Sequence, residues 1–444
     1  MKEVILRYDP LRAEQPVELP LSKSVALRVL TLNAVALASG CVPAQVRHLP
    51  DCEDVEGMLR GIGVYRSQIE RLVGCCCRLT DTPAVELDFE RVDIGQGGAP
   101  LRFFMALAAS TPGVRIILDC HDSLKKRPHS KLVKLLRDAG ADIKGEGADC
   151  SLPPYRISGR RLCNPHIVTT SDTSSQYLSA LMLVSALWRG NLDITIIGEG
   201  VSMPYLDMSA HLLRRYGKEV NGDHHEIKII NAGTPLDPPA SITIPEDWSA
   251  ISYFYELASI TGRFVDLKRL TPPSESLQGD SRVADFFALM GVHTVCMPDG
   301  SGRIEPASPP RFPQEISLNL NDTPDLAPAL AVAACMAGVH FRFEGVAHLR
   351  HKETDRMEAL IAQLRKLGYL LTPGADTLLW SGERIAPDPH PVIATYHDHR
   401  MAMAFAPAAC KYPGLRISMP EVVAKSFPGY WSELERAGFE LRWE

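Results

Sequence analysis

Hydrophobic and polar residues follow two helical patterns that recur along the chain. The first is an amphipathic helix that stops at a glycine, the residue that adopts the left-handed conformation after a helix at least cost. Its six copies end at Gly63, Gly140, Gly217, Gly291, Gly368 and Gly438. The copies are roughly 70–77 residues apart, and similarity at a fixed period indicates a repeated structural unit.

The second pattern is a helix that is rich in small residues and apolar on nearly every face. Its copies also end at glycine, at Gly40, Gly113, Gly190, Gly262, Gly338 and Gly414. An all-apolar helix is buried, whereas an amphipathic helix covers a surface. Short β-branched runs between the helices, such as 192–197 and 339–343, predict strands. We therefore expect an α/β fold in which strands, one buried helix and one amphipathic helix repeat six times.

Six units of about 75 residues exceed what one hydrophobic core usually holds, so the pattern favours two groups of three. The Pro-rich stretch 231–239 offers a boundary near the middle of the chain. Residues 1–8 predict a strand rather than a signal peptide, because they lack a continuous apolar segment.

Composition narrows the possible classes of protein. The 444 residues are 45% hydrophobic and 23% charged with a net charge of −6, which excludes a disordered chain and does not support nucleic-acid binding. The strongly apolar, uninterrupted run 177–188 is shorter than the ~20 residues that a membrane span needs. The eleven cysteines match neither a metal-binding pattern nor a disulfide framework, so we expect a reduced, cytoplasmic protein.

The buried helices begin in unusually polar segments. Lys23, Arg28, Arg102 and Arg400 lie near these helix starts, where a cation opposes the helix dipole. Cations in this position make sense if an anion binds between them and the free N–H groups. Capping alone explains many of the neighbouring Ser, Thr and Asp residues, so those residues do not by themselves indicate a site.

Two charged segments and one glycine-rich loop are further candidates for a binding site. In the run 350–356, Lys352 and Arg356 would share a face if the segment were helical. Lys425 lies beside a Pro-terminated turn. A solvated surface is the alternative interpretation of both features. The loop 95–98 is rich in glycine but does not match a nucleotide P-loop.

Taken together, these motifs resemble the 5-enolpyruvylshikimate-3-phosphate synthase family over essentially the whole chain. The segments that carry the resemblance are Ser22-Lys23-Ser24 with Arg28, Gly98 with Arg102, Arg127-Pro128, Ser174-Ser175-Gln176, Ser202-Met203-Pro204-Tyr205, Gln278-Gly279-Asp280, Pro324-Asp325, Lys352-Glu353-Thr354-Asp355-Arg356, Asp398-His399-Arg400-Met401-Ala402 and Ala424-Lys425. The resemblance implies a two-lobed enolpyruvyl transferase fold, with three inverted βαβαββ-type repeats in each lobe and the active site in the cleft. The first lobe would span 21–238, and the second 1–20 plus 239–444.

The resemblance also implies the reaction, which is transfer of the enolpyruvyl group of phosphoenolpyruvate to the 5-hydroxyl of shikimate 3-phosphate. The residues expected to bind phosphoenolpyruvate are Lys23, Gly98, Arg127, Gln176, Arg356, Arg400 and Lys425. Those expected to bind shikimate 3-phosphate are Lys23, Ser24, Arg28, Ser174, Ser175, Gln176, Ser202, Tyr205, Asp325, His348 and Lys352. Asp325 would act as the base toward the hydroxyl, Glu353 as the proton donor to C3, and Lys23 as an aid to proton transfer.

The sequence departs from the usual family pattern at several of these motifs. The departures are Leu21, Leu27, Gln96, Ala99, Phe103, Met203 and His348, the last standing where the family usually has asparagine. These departures affect the expected shape of the two substrate pockets. The charged residues of both pockets match the family pattern.

The sequence leaves two alternative functions open. One is the sister enolpyruvyl transferase that acts on UDP-N-acetylglucosamine, although Lys23-Ser24 replaces its usual Lys-Asn pair and Cys120 has the neighbours of a core or strand-end cysteine. The other is a six-repeat scaffold without activity. We expect no cofactor and no metal, because addition and elimination need proton transfer but no redox step. The expected partners are the two small substrates, without nucleic acid or membrane, and the expected state is a monomer.

Overall fold

Helices and strands alternate along the chain as the hydrophobic pattern predicts. The computed structural model describes residues 2–14, 16–73, 85–125, 127, 129–147, 152–171, 173–198, 200, 202–230, 232–309 and 312–444. Contacts between residues divide the chain into two compact units. We call Lys23–Ile244 the N-terminal unit, and Met1–Ser22 with Pro245–Glu444 the C-terminal unit.

Buried and amphipathic helices alternate, apart from the short α4. The helices are α1 (Lys23–Ala38), α2 (Glu53–Val73), α3 (Gly98–Ser110), α4 (Asp122–Lys125), α5 (Ser130–Asp138), α6 (Ser175–Val184), α7 (Pro204–Arg215), α8 (Trp248–Thr261), α9 (Val283–Ala288), α10 (Ala327–Ala337), α11 (Arg356–Lys366), α12 (His399–Phe405) and α13 (Tyr430–Arg436). The glycines that follow the buried helices all have φ between 65° and 85°. This is the left-handed conformation expected of a glycine that ends a helix.

The strands between the helices are short. They are β1 (Glu3–Tyr8), β2 (Gln45–Arg47), β3 (Glu90–Asp93), β4 (Arg115–Asp119), β5 (Asp142–Glu146), β6 (Leu152–Ser158), β7 (His166–Thr170), β8 (Leu192–Ile197), β9 (Glu219–Gly222), β10 (Glu226–Ile230), β11 (Ser241–Thr243), β12 (Val265–Leu267), β13 (Val292–Cys296), β14 (Gly302–Pro306), β15 (Glu315–Asn319), β16 (His340–Glu344), β17 (Thr372–Pro373), β18 (Thr377–Trp380), β19 (Val392–Ile393), β20 (Leu415–Ser418) and β21 (Phe439–Trp443).

The N-terminal unit contains the sheets β3-β4-β6-β5, β7-β8-β10-β9 and β11-β2. In both four-stranded sheets the first strand pairs in parallel with the second, and the other pairings are antiparallel. Helices α1, α3 and α6 pack against one another. The unit ends after Ile244 rather than at the expected residue 238, because β11 pairs in parallel with β2.

The C-terminal unit contains the sheets β15-β16-β18-β17, β19-β20-β1-β21 and β12-β14-β13. Strand β1 lies between β20 and β21, with Val4 opposite both Ile417 and Trp443. The predicted N-terminal strand is therefore confirmed. The buried residues of α8, α10 and α12 form one hydrophobic core with the inward faces of these sheets.

One of the predicted helix ends is wrong. The helix expected to stop at Gly63 continues as α2 to Val73. Two glycines within it serve close packing instead, because a Cβ on Gly57 would lie 2.2 Å from the carbonyl oxygen of Ile94 and one on Gly61 would lie 2.9 Å from the ring of Phe104. A period of hydrophobic positions followed by glycine does not distinguish these two uses of the residue.

No helix in the described ranges combines the length and the apolar character that crossing a bilayer requires. The same ranges contain no group of three or more His, Cys, Asp and Glu side chains placed to hold a metal ion.

Candidate active site

The guanidinium of Arg356 is the centre of an ionic network in the C-terminal unit. Arg356 is 1% exposed and is the first residue of α11. Its Nε donates to Asp398 Oδ2 at 2.7 Å, its Nη1 to Asp325 Oδ1 at 2.8 Å and its Nη2 to Glu353 Oε2 at 2.7 Å. Burial lowers the pKa of Arg356, but the three carboxylates outweigh this effect and raise it above its ordinary value. The arginine is therefore charged and held in one orientation.

Asp325 lies in a 3₁₀ turn, Pro324–Leu326, immediately before α10. Its Oδ2 accepts a hydrogen bond from Arg400 Nη2 at 2.7 Å, and Lys352 Nζ lies 3.5 Å from its Oδ1. Burial by itself would raise the pKa of Asp325. The charges of Arg400, Lys352 and Arg356 outweigh burial and hold that pKa well below its ordinary value. The carboxylate is consequently ionised and can accept a proton from a bound group.

Glu353 lies between two cations. Besides its contact with Arg356, its Oε1 accepts a hydrogen bond from Lys425 Nζ at 2.8 Å. Lys425 ends the 3₁₀ turn Pro420–Lys425 and is buried. The solvated-surface interpretation of this lysine is therefore wrong.

The expectation that Lys352 and Arg356 share a helix face is also wrong. Asp355 caps α11 by accepting a hydrogen bond from the backbone of Glu358 at 3.1 Å, so the helix begins at Arg356 and Lys352 precedes it in extended conformation. Both side chains nevertheless approach Asp325. The tertiary structure therefore brings Lys352 and Arg356 together at Asp325, although they do not belong to one helix.

Asp398 organises the start of α12. Its Oδ1 accepts a hydrogen bond from the backbone N–H of Arg400 at 2.9 Å, while its Oδ2 accepts from Arg356. The two residues before it, Tyr396 and His397, have φ of 53° and 59°, a conformation that non-glycine residues rarely adopt. Backbone of this kind is often found at functional sites.

His348 lies in the 3₁₀ turn Ala347–His351, near Lys352 and Asp325. Burial and the charge of Lys352 lower its pKa to about 4, so the imidazole is neutral at physiological pH. Its Nε2 is buried and has no hydrogen-bond partner among the described residues. The asparagine usual in the family is also neutral and polar.

In the N-terminal unit, Arg28 is buried and bonded on several sides. Its Nε donates to Ser209 Oγ at 2.8 Å, and its Nη2 donates to Ser179 Oγ and to the carbonyl oxygen of Tyr205, both at 3.2 Å. Its Nη1 donates to the carbonyl oxygen of Ser24 at 2.9 Å. Burial lowers the pKa of Arg28 to about 10, which leaves it charged at neutral pH.

Arg28 also lies over two aromatic rings, those of Phe103 and Tyr205, at 5.3 and 5.7 Å from the ring centres. Among the described residues, the hydrogen-bond acceptors of Arg28 are hydroxyl and carbonyl oxygens, and none is a carboxylate. A buried cation with this environment suits an anionic ligand.

Lys23, the first residue of α1, pairs with Asp54 of α2, with Nζ 3.0 Å from Oδ2. Arg127 and Gln176, two other predicted residues of this unit, lie near the start of α3. A Cβ on Gly98 would lie 3.0 Å from Arg102 Nη1 and 3.5 Å from Arg127 Nη1, so two guanidinium groups approach this glycine. The absence of a side chain at Gly98 leaves room for them.

Gln176 joins this group from the start of α6. Arg102 Nη1 donates to Gln176 Oε1, and the backbone N–H of Gln176 donates to the Oγ of Ser174 at 3.3 Å. Ser175 and Ser202 are buried, and Ser202 has a φ of 59°. Within each unit, the structure thus brings the predicted residues near one another.

Sequence reasoning missed several residues that hold the predicted ones in place. Asp54, Ser179, Ser209 and Asp398 are the partners of Lys23, Arg28 and Arg356. Asp398 stands in the segment 398–402, which carries part of the family resemblance, and Arg102 is one of the cations that the sequence places near a buried helix start. No sequence feature marks Asp54, Ser179 and Ser209 as partners of the site residues, because they lie far along the chain from the residues that they contact.

Cys120 has the environment of a core residue. It follows β4, is 3% exposed, and burial together with the charge of Asp119 raises its pKa to about 12. This agrees with a strand-end cysteine and not with a reactive thiol.

Comparison with solved structures shows the fold. The fold is similar to that of an EPSP synthase from Acinetobacter baumannii, with a TM-score of 0.72, 22% identity and all of both chains covered. It is also similar to the enolpyruvyl transferase NikO from Streptomyces tendae, with a TM-score of 0.67, 16% identity and coverage of 100% and 99%. The predicted α/β enolpyruvyl transferase fold is confirmed.

Sequence comparison identifies the family within that class. The family model described as EPSP synthase (3-phosphoshikimate 1-carboxyvinyltransferase) matches residues 9–434. A 3-phosphoshikimate 1-carboxyvinyltransferase from Bacteroides fragilis is 35% identical over 98% of this chain and 97% of its own, and one from Cronobacter sakazakii is 31% identical over 98% and 99%. The chain belongs to the EPSP synthase family.

Proposed function

We propose that this protein transfers the enolpyruvyl group of phosphoenolpyruvate to the 5-hydroxyl of shikimate 3-phosphate and releases phosphate, a step of aromatic amino acid biosynthesis. The observation that carries the proposal is the ionic network of the C-terminal unit. One base candidate, one acid candidate and four cations are connected there through direct contacts. Membership of the EPSP synthase family supports the same reaction.

The donor carries a phosphate and a carboxylate, and guanidinium and ammonium groups are suited to both. We assign its binding to Lys23, Gly98, Arg127, Gln176, Arg356, Arg400 and Lys425. The close approach of Arg127 to Gly98 and the burial of Arg356, Arg400 and Lys425 support this assignment.

The acceptor carries one phosphate and hydroxyl groups. We assign its binding to Lys23, Ser24, Arg28, Ser174, Ser175, Gln176, Ser202, Tyr205, Asp325, His348 and Lys352. Arg28 is buried, and its hydrogen-bond acceptors among the described residues include no carboxylate, which supports its role toward an anion. The ring of His348 is neutral, and its buried Nε2, which has no hydrogen-bond partner among the described residues, suits a hydroxyl of the acceptor.

In the proposed mechanism, Asp325 takes the proton of the 5-hydroxyl as the oxygen attacks C2 of phosphoenolpyruvate. Glu353 gives a proton to C3, which produces a tetrahedral intermediate with phosphate still attached to C2. Ionised Glu353 then takes a proton back from C3, which restores the double bond as the C2–O bond to phosphate breaks and phosphate leaves. Lys23 assists the transfer of the hydroxyl proton.

The two carboxylates have different environments, which separates their roles. Asp325 is stabilised as an anion by three cations. Glu353 is held by Arg356 and Lys425, both assigned to the donor. The anionic groups of the donor compete for these cations and so weaken their hold on the ionised form of Glu353.

We further propose that the two compact units are the two lobes of the family, with β1 in the second. The arrangement of three sheets in each unit supports this. The cytoplasmic location, the monomeric state and the independence from cofactors stay predictions.

A phosphate-release assay tests the function. The protein is incubated with phosphoenolpyruvate and either shikimate 3-phosphate or UDP-N-acetylglucosamine, side by side. We expect release with shikimate 3-phosphate alone. Release only with the nucleotide sugar would identify the sister activity, and release with neither would support a scaffold or binding module.

A further inference from the structure

Asp280 is a buried carboxyl group next to the proposed site that has no role in the assignments above. It lies in the 3₁₀ turn Gly279–Arg282 and is 2% exposed. Its Oδ2 accepts a hydrogen bond from the Oγ of Ser249, whereas its Oδ1 is buried without a hydrogen-bond partner among the described residues. No cation forms an ion pair with it in those residues. An ionised carboxylate in such a position is costly.

The turn that carries Asp280 is attached to the start of α8. Gln278 Nε2 donates to Asp247 Oδ1 at 3.0 Å, and the backbone N–H of Trp248 donates to Gln278 Oε1 at 3.0 Å. All of these groups are buried. Asp280 therefore cannot turn toward solvent when its protonation changes.

Charged groups face Asp280 from three elements. They are Asp247 at the start of α8, Asp325 before α10 and Arg400 of α12. Tyr253 of α8 is also near Arg400, and its burial raises the phenol pKa, so the ring stays neutral. Burial and the charge of Asp325 raise the pKa of Asp280 to about 7, although Arg400 and Ser249 act in the opposite direction.

The protonation state of Asp280 decides the net charge around the ionic network. The network contains four cations, Lys352, Arg356, Arg400 and Lys425, and three carboxylates, Asp325, Glu353 and Asp398. It carries a net positive charge when Asp280 is neutral. Ionisation of Asp280 cancels that charge and places a second carboxylate near Arg400.

We propose that Asp280 is a positioning residue that, as a neutral acid, keeps Arg400 directed to Asp325 and to the anionic donor, and that its ionisation weakens donor binding. This inference rests on the proposed function, because the donor is phosphoenolpyruvate. It concerns the donor affinity and its dependence on pH, and does not make Asp280 a participant in the chemistry.

The test compares Asp280→Asn with the wild-type enzyme, using the Michaelis constant for phosphoenolpyruvate at saturating shikimate 3-phosphate between pH 6 and 9. Asparagine has the same shape and is always neutral. We expect the ratio of the wild-type constant to that of the variant to be near one at pH 6 and to rise about tenfold by pH 8.5, the equivalent of one pKa unit of interaction. The titration of phosphoenolpyruvate itself affects both enzymes equally and cancels in the ratio.

Asp285→Asn, on the exposed side of α9, is the matched control and should follow the wild-type profile. A ratio for Asp280→Asn that stays constant across the pH range would overturn the inference. Absence of phosphate release by the wild-type enzyme at every pH would instead refute the proposed function.

Ser249→Ala is the second variant and decides the question if Asp280→Asn does not fold. It removes the hydrogen bond that stabilises the ionised form of Asp280. The pH at which the Michaelis constant begins to rise should therefore move upward. A purely structural role of the Ser249–Asp280 contact predicts no such movement, and an unchanged transition would contradict the inference.

Discussion

Lys425 Nζ lies 2.8 Å from Oε1 of Glu353, and Arg356 Nη2 donates to the other oxygen of the same carboxylate at 2.7 Å. One carboxyl group thus connects a cation from the start of α11 with a cation from the turn before α13. Both cations are assigned to the anionic donor. Glu353 is therefore placed where donor binding changes its surroundings, as the proposed proton donor requires.

Glu353→Gln should lower kcat by at least ~100-fold, because a general acid typically contributes 10²–10⁴-fold to the rate. The amide keeps the size of the side chain but cannot supply the proton to C3. Shikimate 3-phosphate binding, measured by calorimetry, should be retained. Glu358→Gln, on an exposed position of α11, is the control and should retain normal kcat. A near-normal kcat for Glu353→Gln would assign the acid role elsewhere, with Lys23 as the next candidate.

Asp325→Ala should also lose at least ~100-fold in kcat, since no other group accepts the hydroxyl proton in the proposed mechanism. The variant should still bind shikimate 3-phosphate, but more weakly, because Arg356, Arg400 and Lys352 lose a common partner. Steady-state kinetics and calorimetry separate the two effects. Asp322→Ala, three residues earlier in the chain, should change neither quantity, and equal losses in both variants would point to damage of the turn.

Arg28→Lys should reduce stability by about 2–4 kcal/mol, because lysine cannot reproduce the four hydrogen bonds of a buried guanidinium. The midpoint of urea denaturation measures this loss. Affinity for shikimate 3-phosphate should fall as well. Arg66→Lys is the control, since Arg66 forms an exposed ion pair with Glu70 that contributes less than about 1 kcal/mol. Equal stabilities of the two variants would show that the Arg28 contacts are not structural.

The buried carboxyl group of Glu256 should make the stability of the protein depend on pH. It lies in α8 with no exposed surface, and neither carboxylate oxygen has a hydrogen-bond partner among the described residues. Burial raises its pKa well above the ordinary value, so the folded protein keeps a proton that the unfolded chain loses above about pH 4.5. The resulting stability is complete below that pH and declines as pH rises toward the folded-state pKa.

Glu256→Gln should remove this decline. Between about pH 4.5 and the raised folded-state pKa, the free energy of unfolding of the wild-type protein should fall relative to that of the variant by up to about 1.4 kcal/mol per pH unit. Urea denaturation at several pH values provides the measurement. Glu435→Gln, an exposed residue of α13, should parallel the wild type. A constant difference between wild type and Glu256→Gln would show that Glu256 is ionised in the folded state as well as in the unfolded state.

The sequence by itself was sufficient for the repeat, for most helix ends and for the residues that carry charge. Hydrophobic periodicity reports which face of a helix is buried, and a glycine after such a helix reports the left-handed residue that ends it. Both are local properties of the chain. The end of α2 was predicted wrongly, because the helix continues past Gly63 to Val73. Its earlier glycines, Gly57 and Gly61, pack closely against Ile94 and Phe104 from elsewhere in the chain, which a local pattern does not show.

Only the tertiary structure decided which charges meet. The contacts of Arg356 with Asp325 and Asp398 join residues 31 and 42 positions apart, and the contact of Arg28 with Ser209 spans 181. The protonation states follow from the same packing. Asp280 is buried and Asp325 half-buried. Three cations hold the pKa of Asp325 below its ordinary value, whereas burial and the charge of Asp325 raise the pKa of Asp280 to about 7. Local sequence cannot encode this difference, because desolvation and Coulomb interactions depend on distances in space that the folded chain alone determines.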